Sequence, residues 1–197
     1  MSGNFFAMMS RMKYIERWAL MKNTSSENVS EHSLEVGMIA HALAVIGNSR
    51  FNKNLNAEKA ALIGMYHDSS EIITGDMPTP VKYYNQEIKN AMKEVEVVAN
   101  KKLLSMLPED MREAYMSIFF KDEEDDYLWK LVKAADKISA LIKCMEELNT
   151  GNQEFRSARD SLEKAVTGLG LEEVTVFIEE FLPAYGNTLD ELSNSER

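Results

Sequence analysis

Cysteine is nearly absent. Cys144 is the single one in 197 residues, so no internal disulfide staples the chain, and its place in the apolar-periodic stretch LIKCMEEL suits a small buried hydrophobe. Four prolines leave long stretches free to run as helix, and nothing alternates with period two, which argues against a β-rich fold. Histidine is also scarce, with only His32, His41 and His67. The run AALIGMY is far shorter than the roughly 20 residues that cross a bilayer, and MSGNFFAMMSRMKYIER lacks the uncharged core of a signal peptide. A cytoplasmic protein is expected. Positive charge is in deficit as well: 22 Lys and Arg against 32 Asp and Glu give a net charge of -10. Nucleic-acid polymers are therefore poor candidates as partners, because their binding draws on cations that neutralise successive phosphates. A small anion stays open, since a metal and one or two local cations reverse the field inside one pocket.

What is present reads as an ordinary folded chain. Hydrophobic residues make up 45% and charged residues 27%, and the length predicts one domain, 1–197, with a sizeable core. No repeat or linker interrupts it. The expected fold class is all-α, a single-domain helical bundle. A first helix is predicted from Asn4 to about Leu20, with Phe5, Met8, Met9, Met12, Ile15 and Trp18 on one stripe and Arg17 beside it. Asn28 and Glu31 stand in capping-box spacing at the start of a second helix that is expected to stop at Gly47. A third begins after Asn56, passes through His67 and Asp68, and loses regularity near Gly75. Thr79 and Pro80 look like the cap and first residue of a long helix ended by Pro108. A short helix then leads to KDEEDD, read as a solvated turn and a favourable helix start. The next helix carries Asp136 on the edge of its buried face, with Gly151 as C-terminal cap.

The chemistry concentrates in GMYHDSSEIITGDMPTPVK, Gly64 to Lys82. His67 and Asp68 are adjacent, so their side chains differ by about 100° in direction and both lean over one point beside the helix axis. His32 and Asp136 lie on other helices. Two imidazoles and two carboxylates suit a divalent ion such as Co, Mn, Zn, Ni or Fe, with positions left open for water and substrate. His41 follows His32 by nine residues, which puts it near the opposite side of the same helix and makes it a satisfied structural histidine.

The order H, then HD, then a distant D in LVKAADKISAL resembles the HD-domain metal-dependent phosphohydrolases. Within them, IERWALMKNTSSENVSEHS, MYHDSSEIITGDMPTPVKYYN and KCMEELNTGNQEF are closely similar to the bacterial 5'-deoxynucleotidases (YfbR-like), from the first helix to about Phe155. The resemblance implies an HD-type bundle, a homodimer, and one divalent metal ion per subunit on His32, His67, Asp68 and Asp136. It also implies hydrolysis of deoxyribonucleoside 5'-monophosphates.

A phosphate dianion beside such a metal still needs cationic help, and the planar fork of Arg17 is the natural donor. Glu71 follows His67 by four residues and Asp68 by three, so it is expected on the same helical face, activating or orienting the attacking water. Asp76, after the turn at Gly75, is expected to protonate the leaving 5' oxygen or contact the sugar; the two roles are exchangeable. Met77, Pro78 and Thr79 form a rigid loop for the nucleoside end, and Lys82 adds charge. His32, Asp68 and Asp136 would border the substrate as well as the metal. Trp18 is either a core aromatic or a wall filling the space of a ribose 2'-hydroxyl. Alternatives are an HD hydrolase of nucleoside triphosphates, guanosine tetraphosphate or cyclic nucleotides, and a non-catalytic nucleotide-binding regulator.

Overall fold

A computed structural model describes residues 3–82 and 84–193; Tyr83, placed above in a long helix, lies outside the described residues. The α-helices are α1 (Phe5–Met9), α2 (Val29–Phe51), α3 (Ala57–Tyr66), α4 (Glu71–Thr74), α5 (Thr79–Lys82), α6 (Gln86–Ser105), α7 (Glu109–Phe119), α8 (Asp126–Asn149), α9 (Arg156–Thr167), α10 (Glu172–Glu180) and α11 (Leu189–Ser193). Among the described residues there is no strand, only an isolated antiparallel bridge between Glu16 and Asn28. No helix among them is long and apolar enough to cross a membrane. The all-α expectation holds.

The framework is α2, α3 and α8, which pack together around Leu43, Ile63, Leu131, Ile138 and Ile142. Burying each of these side chains contributes about 1.5–3 kcal/mol, which holds the three helices, and whatever they carry, in fixed relation. Where α2 crosses α3, Gly37 meets Gly64: a Cβ on Gly64 would lie 2.8 Å from Gly37 Cα. A smaller cluster of Phe5, Leu103, Leu107 and Phe119 ties α1 to α6 and α7. Cys144 is buried, as its apolar setting suggests.

Several boundaries differ from the sequence expectation. The first helix does not reach Leu20; α1 tightens into a 3-10 turn over Ser10–Tyr14, and Ile15 is extended. The chain there pairs with the start of α2 through Arg17 N–H to Glu27 O at 2.9 Å and Val29 N–H to Ile15 O at 2.9 Å, so Arg17 and Trp18 sit on a loop. Asn28 and Glu31 do form the capping box, but α2 runs past Gly47 to Asn52, whose left-handed φ of 52° makes the stop. Gly47 is an interior position kept small by Glu173, whose Oε1 a Cβ would approach to 2.8 Å.

Asn56 caps α3, yet the helix ends at Tyr66, and His67 to Ser70 form a turn before α4. Glu71 is thus not on the helical face of His67. The helix started by Pro80 is also interrupted: Asn85 accepts from Ile88 N–H at 2.7 Å and starts α6 as a separate element. Asp125, read as solvated, is buried and pairs with Lys59. Gly151 closes α8 as expected, with φ 90°.

Candidate active site

The Gly37–Gly64 crossing brings the first turn of α2 against the C-terminal end of α3, and α8 packs across both. His32, His67 and Asp68 therefore present ligand atoms within 4.8 Å of one another. Asp136 joins them from α8, with Oδ1 3.2 Å from His32 Nε2 and 4.0 Å from His67 Nε2. Asp68 Oδ2 lies 3.0 Å from His67 Nε2 and 3.6 Å from His32 Nε2.

The outer nitrogens of the two rings decide what the inner ones present. His67 Nδ1–H donates to Gly64 O at 2.7 Å. Ser139 Oγ–H donates to Glu35 Oε2 at 2.5 Å, so the same Oγ accepts from His32 Nδ1–H at 3.0 Å. Both Nε2 atoms are left bare, buried and without a hydrogen-bond partner, and they face two carboxylates. Lone pairs opposed to anions in a buried site call for a cation between them, and a mixed imidazole and carboxylate set with bracing hydrogen bonds fits a divalent metal.

Titration behaviour reports the same tension, with a proton taking the cation's place on His67 Nε2 beside Asp68. Burial lowers the His32 pKa despite Asp136, whereas for His67 the charges of Asp68 and Asp136 overcome burial and push it up to about 9. Against burial, His67, His32 and Arg17 hold the Asp68 carboxyl well below the usual range. Glu71 goes the other way, pushed up to about 9 by burial and then by Asp68 and Asp76, with Lys82 and Arg17 opposing. Its Oε2 is buried and unpartnered. Burial also raises Asp76, with Arg17 and the Trp18 backbone amide pulling it back. A short helix after a turn thus delivers Glu71 to the same field that a continuous helix was expected to reach.

Arg17 and Trp18 arrive from the loop before α2. Arg17 Nη1 and Trp18 Nε1 both donate to Glu27 Oε2, at 3.1 and 2.8 Å, and the indole rests against Phe155 with centroids 5.4 Å apart. Trp18 is half-buried at the surface and does not close a core stripe. The far side of the loop is held by a buried ion pair on α8: Lys143 Nζ meets Glu147 Oε1 at 2.6 Å, and Glu147 accepts from Thr24 N–H, Thr24 Oγ1–H and Ser25 N–H. After Gly75, at φ 72°, Asp76, Met77 and Pro78 form a part-buried segment, and Thr79 is exposed at the start of α5. Lys82 pairs with Glu96 at 3.3 Å. His41 is exposed on α2 and outside the site, not a satisfied buried histidine.

Glu27, Glu35 and Ser139 were missed from sequence. Glu35 follows His32 by three residues and Ser139 follows Asp136 by three, so helix-face neighbours of the ligand candidates are a usable signal for both. Glu27 offers no such pattern.

The family model described as "5'-deoxynucleotidase YfbR-like" matches residues 4–185. A 5'-deoxynucleotidase of Erwinia tasmaniensis is 49% identical over 190 residues, 96% of each chain. The 5'-deoxynucleotidase YfbR of Escherichia coli is 47% identical over the same share of both. Among solved structures, an HD-domain phosphohydrolase from Listeria innocua superposes with a TM-score of 0.80 at 24% identity, covering 92% of this chain and 88% of its own. The cyanophage S-2L HD phosphohydrolase DatZ, bound to dA and one catalytic Zn2+ ion, gives 0.63 at 18%, covering 90% and 95%. The two structures share the fold, and the match along nearly the whole sequence places the chain in the YfbR-like 5'-deoxynucleotidase family.

Proposed function

We propose that the chain, acting as one domain over residues 1–197, is a metal-dependent 5'-deoxynucleotidase that converts deoxyribonucleoside 5'-monophosphates to deoxyribonucleosides and phosphate. The observation that carries this reading is the pair of bare imidazole nitrogens facing Asp68 and Asp136, with Arg17, Glu71 and Asp76 in the same field. In this reading His32, His67, Asp68 and Asp136 hold one divalent ion per subunit, drawn from Co, Mn, Zn, Ni or Fe. Bound there, the ion supplies positive charge beside the phosphate, acidifies water, and offsets the Asp68 charge that raises Glu71.

The chain's own groups do the rest. Arg17 grips the phosphate with the donors not committed to Glu27. Glu71 takes the proton of the attacking water, and Asp76 hydrogen-bonds the departing 5' oxygen or passes it a proton from solvent. Trp18 stands at the sugar and fills the space of a 2'-hydroxyl, while Met77, Pro78 and Thr79 border the nucleoside. A homodimer and a cytoplasmic setting belong to the same reading. Exposed Leu34, Met38 and Val45 lie along one line of α2 and support the dimer.

The test is phosphate release from deoxyribonucleoside mono- and triphosphates, guanosine tetraphosphate and cyclic nucleotides, after chelation and with metal added back. Release from deoxynucleoside monophosphates that depends on added metal is expected. Release only from the other substrates, or none from any, overturns the reading.

A further inference from the structure

The loop bearing Arg17 and Trp18 has a shape that its own sequence does not favour. Trp18 has φ 58°, in the left-handed region that a bulky residue enters only when its surroundings require it. Backbone pairing sets the stem: Arg17 N–H donates to Glu27 O at 2.9 Å, beside the Glu16–Asn28 bridge. The side chain of Glu27 then completes the shape. One carboxylate oxygen, Oε2, receives Arg17 Nη1–H at 3.1 Å and Trp18 Nε1–H at 2.8 Å. The side chains of Arg17 and Glu27 are largely enclosed, each being 12% exposed, and Trp18 is half-buried.

Two consequences follow from that shared oxygen. First, the guanidinium is oriented before any phosphate arrives, so less freedom is lost on binding. Second, the indole has one polar atom, Nε1–H, and Glu27 occupies it. The face and edge that remain offer a sugar no hydrogen bond, so a ribose hydroxyl entering beside Trp18 would lose its water and gain nothing.

We propose that Glu27 is a positioning residue that locks Arg17 and Trp18 into one unit, so that a single carboxylate sets both phosphate affinity and discrimination against ribonucleotides. The proposal rests on the reading of Arg17 as the phosphate group and Trp18 as the sugar wall. Glu27 itself touches no substrate. Its loss should therefore appear in KM and in substrate preference more than in kcat, and should leave the metal in place.

The experiment compares kcat and KM for dAMP and AMP in the metal-loaded wild type, Glu27→Gln, Glu27→Ala, Trp18→Ala and the Glu27→Ala, Trp18→Ala double variant, with metal content and Tm measured for each. Glu27→Ala should raise KM for dAMP and lower the dAMP-to-AMP ratio of kcat/KM, on the order of tenfold each, the scale of a hydrogen bond to a charged group. Glu27→Gln keeps one acceptor without the charge and should fall between Glu27→Ala and wild type. In the Trp18→Ala background, removing Glu27 should still raise KM but change the ratio no further. An unchanged KM and ratio in folded, metal-replete Glu27→Ala would overturn the proposal; if that variant does not fold, the same result in Glu27→Gln does so. A wild type that does not prefer dAMP would instead overturn the reading of Trp18 on which the proposal stands.

Discussion

Gly64 and Gly37 meet backbone to backbone, and Gly64 also accepts the Nδ1–H of His67 at 2.7 Å. One residue thus sets both the approach of α3 to α2 and the orientation of an imidazole. Gly64→Ala puts a methyl group 2.8 Å from Gly37 Cα, where the neighbouring atom is backbone and cannot rotate away. The better helix propensity of Ala returns about 1 kcal/mol, and overpacking costs about 1–3 kcal/mol. Tm should fall by several degrees, and metal affinity should fall with it as His67 moves from His32. Calorimetry on the variant checks both, and wild-type values for both would refute the account of the crossing.

Removing Asp136 takes one of four candidate ligands. Asp136→Ala should lose the ion, and elemental analysis showing full occupancy in a folded variant would reject the assignment. Ser139→Ala leaves all four in place but breaks the chain from Glu35 to His32 Nδ1. Metal affinity should drop by about 10- to 100-fold, as for other partners that orient a ligating histidine; titration calorimetry measures it.

In the proposed reaction Glu71 acts on water and not on the metal cage. Glu71→Gln should lower kcat by about 100-fold or more while metal and nucleotide still bind. Near-normal turnover would remove Glu71 from the mechanism.

Trp18→Ala should weaken the preference for dAMP over AMP, chiefly by admitting AMP, because a steric wall is what separates a sugar lacking a hydroxyl from one that has it. The ratio of kcat/KM values in wild type and variant is the measurement. An unchanged ratio would leave the indole as packing against Phe155 only.

Glu147 is buried, and although burial opposes it, hydrogen bonds from Lys143, Thr24 and Asn152 hold its carboxyl well below the ordinary 4.5. A depressed folded-state pKa stabilises the protein above the unfolded value, and the stabilisation is lost as pH falls through the folded one. Breaking the buried pair with Lys143 costs about 3 kcal/mol or more. The Tm gap between wild type and Glu147→Gln should thus be full near pH 7 and narrow below pH 4.5. A gap that does not change with pH would show that the charge is not what matters.

The helical class, the caps at Asn28 and Asn56, and the residue types gathered at His32, His67, Asp68 and Asp136 are determined by sequence alone. Periodicity, capping chemistry and metal-ligand preferences act locally or through residue identity, and they carry over into the folded chain. The loop that holds Arg17 and Trp18 was decided by tertiary structure. Its apolar spacing suits a helix, but pairing of Ile15 and Arg17 with Val29 and Glu27 satisfies the backbone in another way, and a carboxylate nine residues beyond Trp18 takes its indole N–H. Glu71 was likewise expected on a continuous helix and reaches the site only through the turn from His67 to Ser70. The bracing of His32 by Ser139 and Glu35 joins α2 to α8 across more than a hundred residues. Hydrogen bonds over such separations exist only once α2, α3 and α8 have packed, because that packing sets which side chains face one another.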